Sequence, residues 1–498
     1  MLIEFCVFSV VAASFLLKWH LEYHYDLFRR LGIGGPKPSL LTGNLREIRG
    51  KHFPLAPKKS LGLFLENDAQ WKRSRNLLTP AFSTGKLKMM TPIMSEAADI
   101  LVERLTDKVK EENSTDIYSV LQSMTLDVIG RCAFGLQTHA QVDNNDMFLV
   151  KIRSLFKAMT KTKIEPLLML LPGLNGVVFG LKEMVSFFHA SPVQWLRQAM
   201  YQVIMARRAL GPNANVIDLV QLMLFPDQTR SSGIHASRGH EHSICKDPEI
   251  SVSLSSPKED IVKSLSTKPE SPKVGVTPLT DIEIMAHSMT FLLAGYETSG
   301  AVLAYFFHEL AKHPEIQERL LEEINDAIGK RDIDYETIQG LPLFDAVFDE
   351  VLRLYPTATF ITSRRASEDR QYGDVKIPAG MNVLANVWSL HRDPEYWDDP
   401  ETFRPERWLT EQNCKRKSSF TYLPFGAGPR HCIGMRFATI EAKITMVKIV
   451  QSFQIQMAHD SKEDLDLISR GAIVPEKDVK IRLVKRATGT RRRAVRHC

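Results

Sequence analysis

Helical periodicity dominates the hydrophobic pattern of this chain. Thr280-Asp281-Ile282-Glu283 has the T-x-x-E form of a capping box, and no proline intervenes before His313. One helix of over thirty residues, about 50 Å at 1.5 Å per residue, is predicted there. Pro314 opens a second helix that ends near Gly329, and a third covers about Phe344 to Tyr355 before Pro356. Upstream, Pro92–Glu112 and Asp116–Phe134 read as amphipathic packing helices. Near the C-terminus Phe437, Ile440, Ile444, Val447 and Val450 recur at helical spacing.

Four stretches break the pattern. Phe5–Leu17 carries no charge and is followed by Lys18, Arg29, Arg30 and Lys37. Residues 1–18 therefore read as an uncleaved signal anchor, with the following side cytoplasmic; a buried N-terminal helix is the alternative. Residues 19–38 form a basic, proline-rich hinge ending at Gly35-Pro36-Lys37-Pro38. Pro166–Phe188 is unusually apolar, either core or, where exposed, a lipid contact. Residues 226–278 are rich in Ser, Lys, Pro and His without periodicity, and are expected to be a disordered surface insertion. His240, His242 and Cys245 within it read as scattered residues, since no fourth metal ligand accompanies them.

Charge and cysteine content narrow the class. The net charge of +6 is concentrated at the end, where eight Lys or Arg and no acid follow Val479; the remainder sums to −2. The body thus carries no nucleic-acid footprint, and residues 487–498 form a basic tail suited to anionic lipid. Six dispersed cysteines without a C-x-x-C pair suit a reducing compartment.

The candidate chemistry centres on Pro424–Ala438, PFGAGPRHCIGMRFA. Cys432 stands before a helical segment, after a loop holding Gly426 and Gly428. A helix N-terminus favours thiolate, and glycines let backbone approach something flat and large. A lone thiolate in such a nest fits an axial ligand of haem iron. Elsewhere, Trp71-Lys72-Arg73-Ser74-Arg75 sets an indole N–H and a guanidinium one helical turn apart. Ala294-Gly295-Tyr296-Glu297-Thr298 lies in the long helix, and Glu350 and Arg353 lie three apart in another.

These stretches resemble the cytochrome P-450 family. Phe425, Gly428, Cys432 and Gly434 match its F-x-x-G-x-x-x-C-x-G signature; W-x-x-x-R, A-G-x-[DE]-T and E-x-x-R follow in family order. The wording is closest to the microsomal drug- and steroid-oxidising clan. The resemblance implies a mainly α fold with a smaller β region (α+β), a haem-thiolate catalytic domain over residues 39–486, and an endoplasmic-reticulum location. It implies haem b ligated by Cys432, with Trp71, Arg75, Ala294, Arg364, Phe425, Arg430 and Gly434 as cofactor contacts. Arg364 rather than Arg365 is assigned to a propionate, because Ser363 occupies the usual position and a one-residue insertion follows. Thr298 and Glu297 are the implied proton-delivery residues. Glu350, Arg353 and Arg407 (of Phe403-Arg404-Pro405-Glu406-Arg407) form a structural triad. Phe291, Ala294, Ala358, Thr359, Phe360 and Ala472 line the pocket for a small apolar substrate: xenobiotic, steroid or fatty-acid-like. O2 and NADPH-derived electrons are required. The chain has no nucleotide-binding G-x-G-x-x-G of its own, so a P-450 reductase, with cytochrome b5 as a further donor, docks near Lys72, Arg73, Lys415, Arg416 and Lys417.

One departure stands out. Only 32 residues separate Pro38 from Trp71, too few for the helix, hairpin and second helix of the family. The N-terminal sheet is therefore expected to be incomplete, with bare strand edges. Two other readings stay open: a truncated, haem-deficient membrane protein, and a haem-thiolate isomerase.

Overall fold

A computed structural model describes residues 63, 66, 68–111, 114–160, 192–212, 218–225, 278–329, 331–358, 363–409, 420–469 and 472–486. The first helices are α1 (Asp68–Leu78), α2 (Thr84–Glu111) and, after the two-residue strand β1 (Thr115–Asp116), α3 (Ile117–Phe134). Then come α4 (Met147–Thr160), α5 (Pro192–Leu210), α6 (Leu219–Leu224), α7 (Asp281–Lys312), α8 (Pro314–Ala327) and α9 (Pro342–Leu354). Short strands follow: β2 (Ser363–Arg365), β3 (Arg370–Tyr372), β4 (Val375–Ile377) and β5 (Asn382–Leu384). The C-terminal part holds α10 (Val387–Leu390), α11 (Met435–Ser452), β6 (Phe453–Met457), β7 (Leu467–Ser469), β8 (Ile473–Pro475) and β9 (Lys480–Lys485).

The fold is mostly helical with a small β region, as the helical periodicity requires. α7 is its axle, 32 residues long and buried from Ser299 to Ala311. Its capping box forms: Thr280 accepts from the Glu283 N–H, and Glu283 Oε2 accepts from the Thr280 N–H at 2.8 Å. α3 packs along α7, and α2 packs on both α3 and α11. Phe437, Ile440, Ile444, Val447 and Val450 all enter the core. α2 corrects one expected boundary: the helix begins at Thr84 and carries Pro92 inside it. Proline cannot donate to the carbonyl one turn back, so that turn loses a bond without ending the helix, and Thr91 Oγ1 donates to Leu87 O at 2.9 Å beside it.

The sheets are small. β1, β9 and β6 form an antiparallel three-stranded sheet; β2–β5, β3–β4 and β7–β8 are antiparallel pairs. All six residues of β2 and β5 are exposed, and among the described residues no third strand joins them. The stretch before Trp71, from which further strands were expected to be missing, lies almost wholly outside the described residues.

Among the described residues, no helix is long and apolar enough to cross a membrane. The expected anchor (1–18), hinge (19–38), most of the shortened junction, nearly all of the apolar stretch and the insertion, and the basic tail lie outside the described residues.

Candidate active site

The cysteine loop is built by two glycines with left-handed backbone, Gly426 and Gly428, each at φ 71°. Their turns bring the Cys432 N–H to Phe425 O at 2.9 Å and the Gly426 N–H to Leu423 O at 3.1 Å. Cys432 is open on one side and crowded by protein on the others. Crowding raises the thiol above its ordinary value, while the N–H groups of Gly434 and Met435 and the Arg75 guanidinium pull it down. The helix-start donors expected to favour thiolate are present, but in the free thiol burial outweighs them.

α1 brings its two named donors to this loop. Arg75 Nη1 donates to His431 O at 3.0 Å, and the Arg430 guanidinium lies over the Trp71 ring at 4.3 Å. Arg364, on β2, reaches the same loop, with Nη2 donating to Ala427 O at 3.2 Å. Arg365, next on the strand, turns its guanidinium to Gly380 instead. Arg73, expected on a docking face, instead pairs with Glu283 and donates to Pro278 O. Lys415, Arg416 and Lys417 lie outside the described residues.

α7 contributes an accessible face in mid-helix. Ala294 is exposed and Thr298 half-buried, although their neighbours Leu292, Tyr296 and Ser299 are buried. Thr298 Oγ1 donates to Ala294 O at 2.6 Å. Glu297 departs from its expected place as a relay. It is 1% exposed and turned to α3, where Tyr118 Oη donates to Oε1 at 2.8 Å and Gln122 Nε2 to Oε2 at 3.1 Å. One residue along a helix rotates a side chain by about 100°, enough to move it off the face that Thr298 shows.

The pocket residues divide. Phe291 is buried against Phe82, with ring centroids 5.7 Å apart. Ala358 and Ala472 come from separate segments that the Ile473 N–H ties together by donating to Thr357 O at 2.6 Å. Thr359 and Phe360 lie outside the described residues.

Behind the loop, Glu350 and Arg353 are fully buried and Arg407 almost so. Glu350 accepts from Arg353 Nε and Nη2 (3.0 and 2.8 Å), Arg407 Nε (2.9 Å), Trp408 Nε1 (2.9 Å) and the Arg404 N–H (3.0 Å). Arg353 also donates to His391 O, Pro400 O and Thr402 O.

A sequence profile of the cytochrome P450 family matches residues 44–483. The chain belongs to the cytochrome P450 family. It is 32% identical to cytochrome P450 3A11 of Mus musculus over 431 residues, covering 86% of this chain and 76% of that one. Cytochrome P450 3A6 of Oryctolagus cuniculus is 30% identical over 426 residues, at 85% and 75% coverage. Thromboxane-A synthase of Mus musculus is 30% identical over 530 aligned positions, at 96% of both chains. As a P450 the protein is an oxidoreductase of the monooxygenase type, and the family's cofactor is a haem with a cysteine thiolate ligand.

The residues present fit that group. Cys432 is exposed, and among the described residues nothing beyond their own chain neighbours would crowd a side chain at Gly428 or Gly434. Arg75, Arg364 and Arg430 concentrate cationic donors around the same loop, which suits a flat group edged with carboxylates.

Three further buried groups of this P450 shape the site: His391, whose stretch His391-Arg392-Asp393-Pro394 follows the family, and Glu441 and His287, which motif reading missed. His391 joins the brace to the cysteine loop: its Nε2 accepts from the Leu423 N–H at 2.8 Å, and its Nδ1 lies 3.2 Å from Arg353 O. Glu441 is fully buried in α11, and burial pushes its carboxyl up to about 8. An acid between Ile440 and Ala442 in a helix so apolar was the available signal. His287, on α7, is fully buried and accepts a backbone bond from far upstream.

Proposed function

We propose that this P450 is a haem-thiolate monooxygenase that inserts one oxygen atom of O2 into an apolar small molecule. The observation that carries the reading is the Cys432 loop: a cysteine open on one side, with the Gly434 and Met435 N–H groups and Arg75 around its sulfur. Haem b, when bound, supplies the activation of dioxygen at iron. Cys432 Sγ would hold it, with Phe425, Gly434 and Ala294 as its neighbours, and Trp71, Arg75, Arg364 and Arg430 would supply donors for its carboxylates. The Gly434 and Met435 N–H groups and Arg75 would stabilise negative charge on that sulfur. Thr298 Oγ1, now donating to Ala294 O, is the hydroxyl placed to hold or pass a proton on the accessible face of α7. Glu297 serves as a tie between α7 and α3 in this geometry. Phe291, Ala358 and Ala472 bound an apolar substrate space.

Electrons come from NADPH through a flavoprotein reductase, with cytochrome b5 as a second donor. The 3A-type relatives support a microsomal setting with a membrane-held chain. A second reading is favoured by one observation, the match of a relative named as a synthase over 96% of both chains. On that reading the site rearranges its substrate and needs no reductase.

The test is the spectrum of the reduced, carbon-monoxide-treated protein. A red-shifted Soret band that disappears in Cys432→Ser is expected. Absence of haem absorbance in the wild type would sink the reading, as would a band that survives the substitution. Reductase-dependent NADPH consumption then separates oxygen insertion from rearrangement.

A further inference from the structure

α1 has two working faces. Trp71 and Arg75 look to the cysteine loop, through Arg430 and His431. On its other side Arg73 pairs with Glu283 in the first turn of α7, and Gln70 Nε2 donates back to Glu66 Oε1, in the entering segment, at 3.4 Å. Among the described residues, a buried side chain of α7 ties down the chain entering α1. The Leu63 N–H donates to His287 Nδ1 at 3.0 Å across a sequence separation of 224 residues.

That bond defines the imidazole. Nδ1 accepts, so the ring proton sits on Nε2, which faces Glu66 Oε1 at 3.7 Å. Leu63, Glu66 and His287 are all buried, at 7, 4 and 0% exposure. Burial drives His287 down to about 4, so it is neutral and accepting at neutral pH. An aliphatic side chain in its place would leave a buried amide without a partner.

We propose that His287 is a positioning residue for Trp71 and Arg75, fastening the segment that leads into α1 onto α7 so that α1 presents both to the cysteine loop. This rests on the reading of Trp71 and Arg75 as cofactor contacts. It gives α1 an anchor on α7 through the Leu63 N–H, directly ahead of the helix. Nothing in the family motifs marks His287, which sits seven residues before Ala294.

The geometry gives a discriminating pair of substitutions. Asparagine places its carbonyl oxygen where Nδ1 stands, whereas glutamine places its polar atoms where Nε2 stands. In the full chain, hydrogen–deuterium exchange of the peptide around Leu63 is expected to quicken about tenfold or more in His287→Phe and His287→Gln, and to stay near wild type in His287→Asn. Haem retention should follow the same order. Equal protection in the Gln and Asn variants, or in Phe and wild type, would overturn the proposal. If the Phe variant does not fold, the Asn–Gln comparison decides alone. A wild type that lacks haem but keeps the exchange order would defeat the cofactor reading and leave the clasp standing. Haem retained without that order would do the reverse.

Discussion

The N–H of Leu423 donates to Nε2 of His391 at 2.8 Å, one residue ahead of the loop that carries Cys432. Nε2 accepts, so Nδ1 carries the proton and donates to Arg353 O at 3.2 Å. A neutral imidazole thereby joins the Glu350–Arg353–Arg407 brace to the cysteine loop. His391→Leu leaves a buried N–H and a buried carbonyl unpaired and should cost about 2–4 kcal/mol in urea unfolding. Burial also lowers the imidazole to about 3 from 6.5. Its contribution is full above about pH 6.5 and is lost as pH falls toward 3, because the unfolded chain takes the proton first. His391→Gln should therefore lose stability less steeply than wild type across that window. Parallel profiles would show that the ring titrates normally.

Glu350 carries a heavier burden. Its carboxylate is the shared acceptor for two guanidinium groups that are 0 and 4% exposed. Glu350→Gln keeps the shape and removes the charge, leaving Arg353 and Arg407 facing each other without a counter-ion. A loss of about 3–5 kcal/mol is expected, enough to abolish the haem-thiolate spectrum at ordinary temperature. A variant that binds haem and melts like wild type would show the brace to be dispensable.

How much of this was readable beforehand follows from where each signal lives. The capping box at Thr280, the span of α7 and the cysteine loop are local, and periodicity or glycine content revealed them. The triad was legible only through family wording, since Glu350 and Arg407 are 57 residues apart and nothing local pairs them. Contacts such as Leu63–His287 were invisible, because a backbone N–H leaves no trace in residue identity. Glu297 is the instructive case. Its motif was plain, but the face its carboxylate takes depends on Tyr118, 179 residues away.

That pairing can be tested directly. Tyr118→Phe removes the 2.8 Å donor to Glu297 Oε1 and changes nothing on the face shown by Thr298. A loss of about 1–3 kcal/mol in unfolding is expected, with the carbon monoxide band retained. The solvent isotope effect on turnover should be unaltered, because Glu297 acts here as a tie between helices. An altered isotope effect at unchanged stability would return Glu297 to the role of proton relay.

Glu441 yields a pH dependence of opposite sign to that of His391. Among the described residues, neither of its carboxyl oxygens has a partner in hydrogen-bond geometry. The Ser299 hydroxyl lies near enough to hold its pKa down somewhat, yet burial prevails and raises it from 4.5 to about 8. The group facing it from α3 is the Cys132 thiol, which burial drives upward too, so that it brings no compensating charge. The native state thus keeps a proton that the unfolded chain has released. The contribution is full below about pH 4.5 and gone above about 8, so stability falls across that window by up to about 1.36 kcal/mol per unit. Glu441→Gln cannot release the proton and should be flat over the same range. Thermal melts at several pH values between 5 and 8 should show the Gln variant gaining steadily on wild type. A constant difference would mean that Glu441 is already ionised in the folded protein and has a partner that this arrangement of α3, α7 and α11 does not supply.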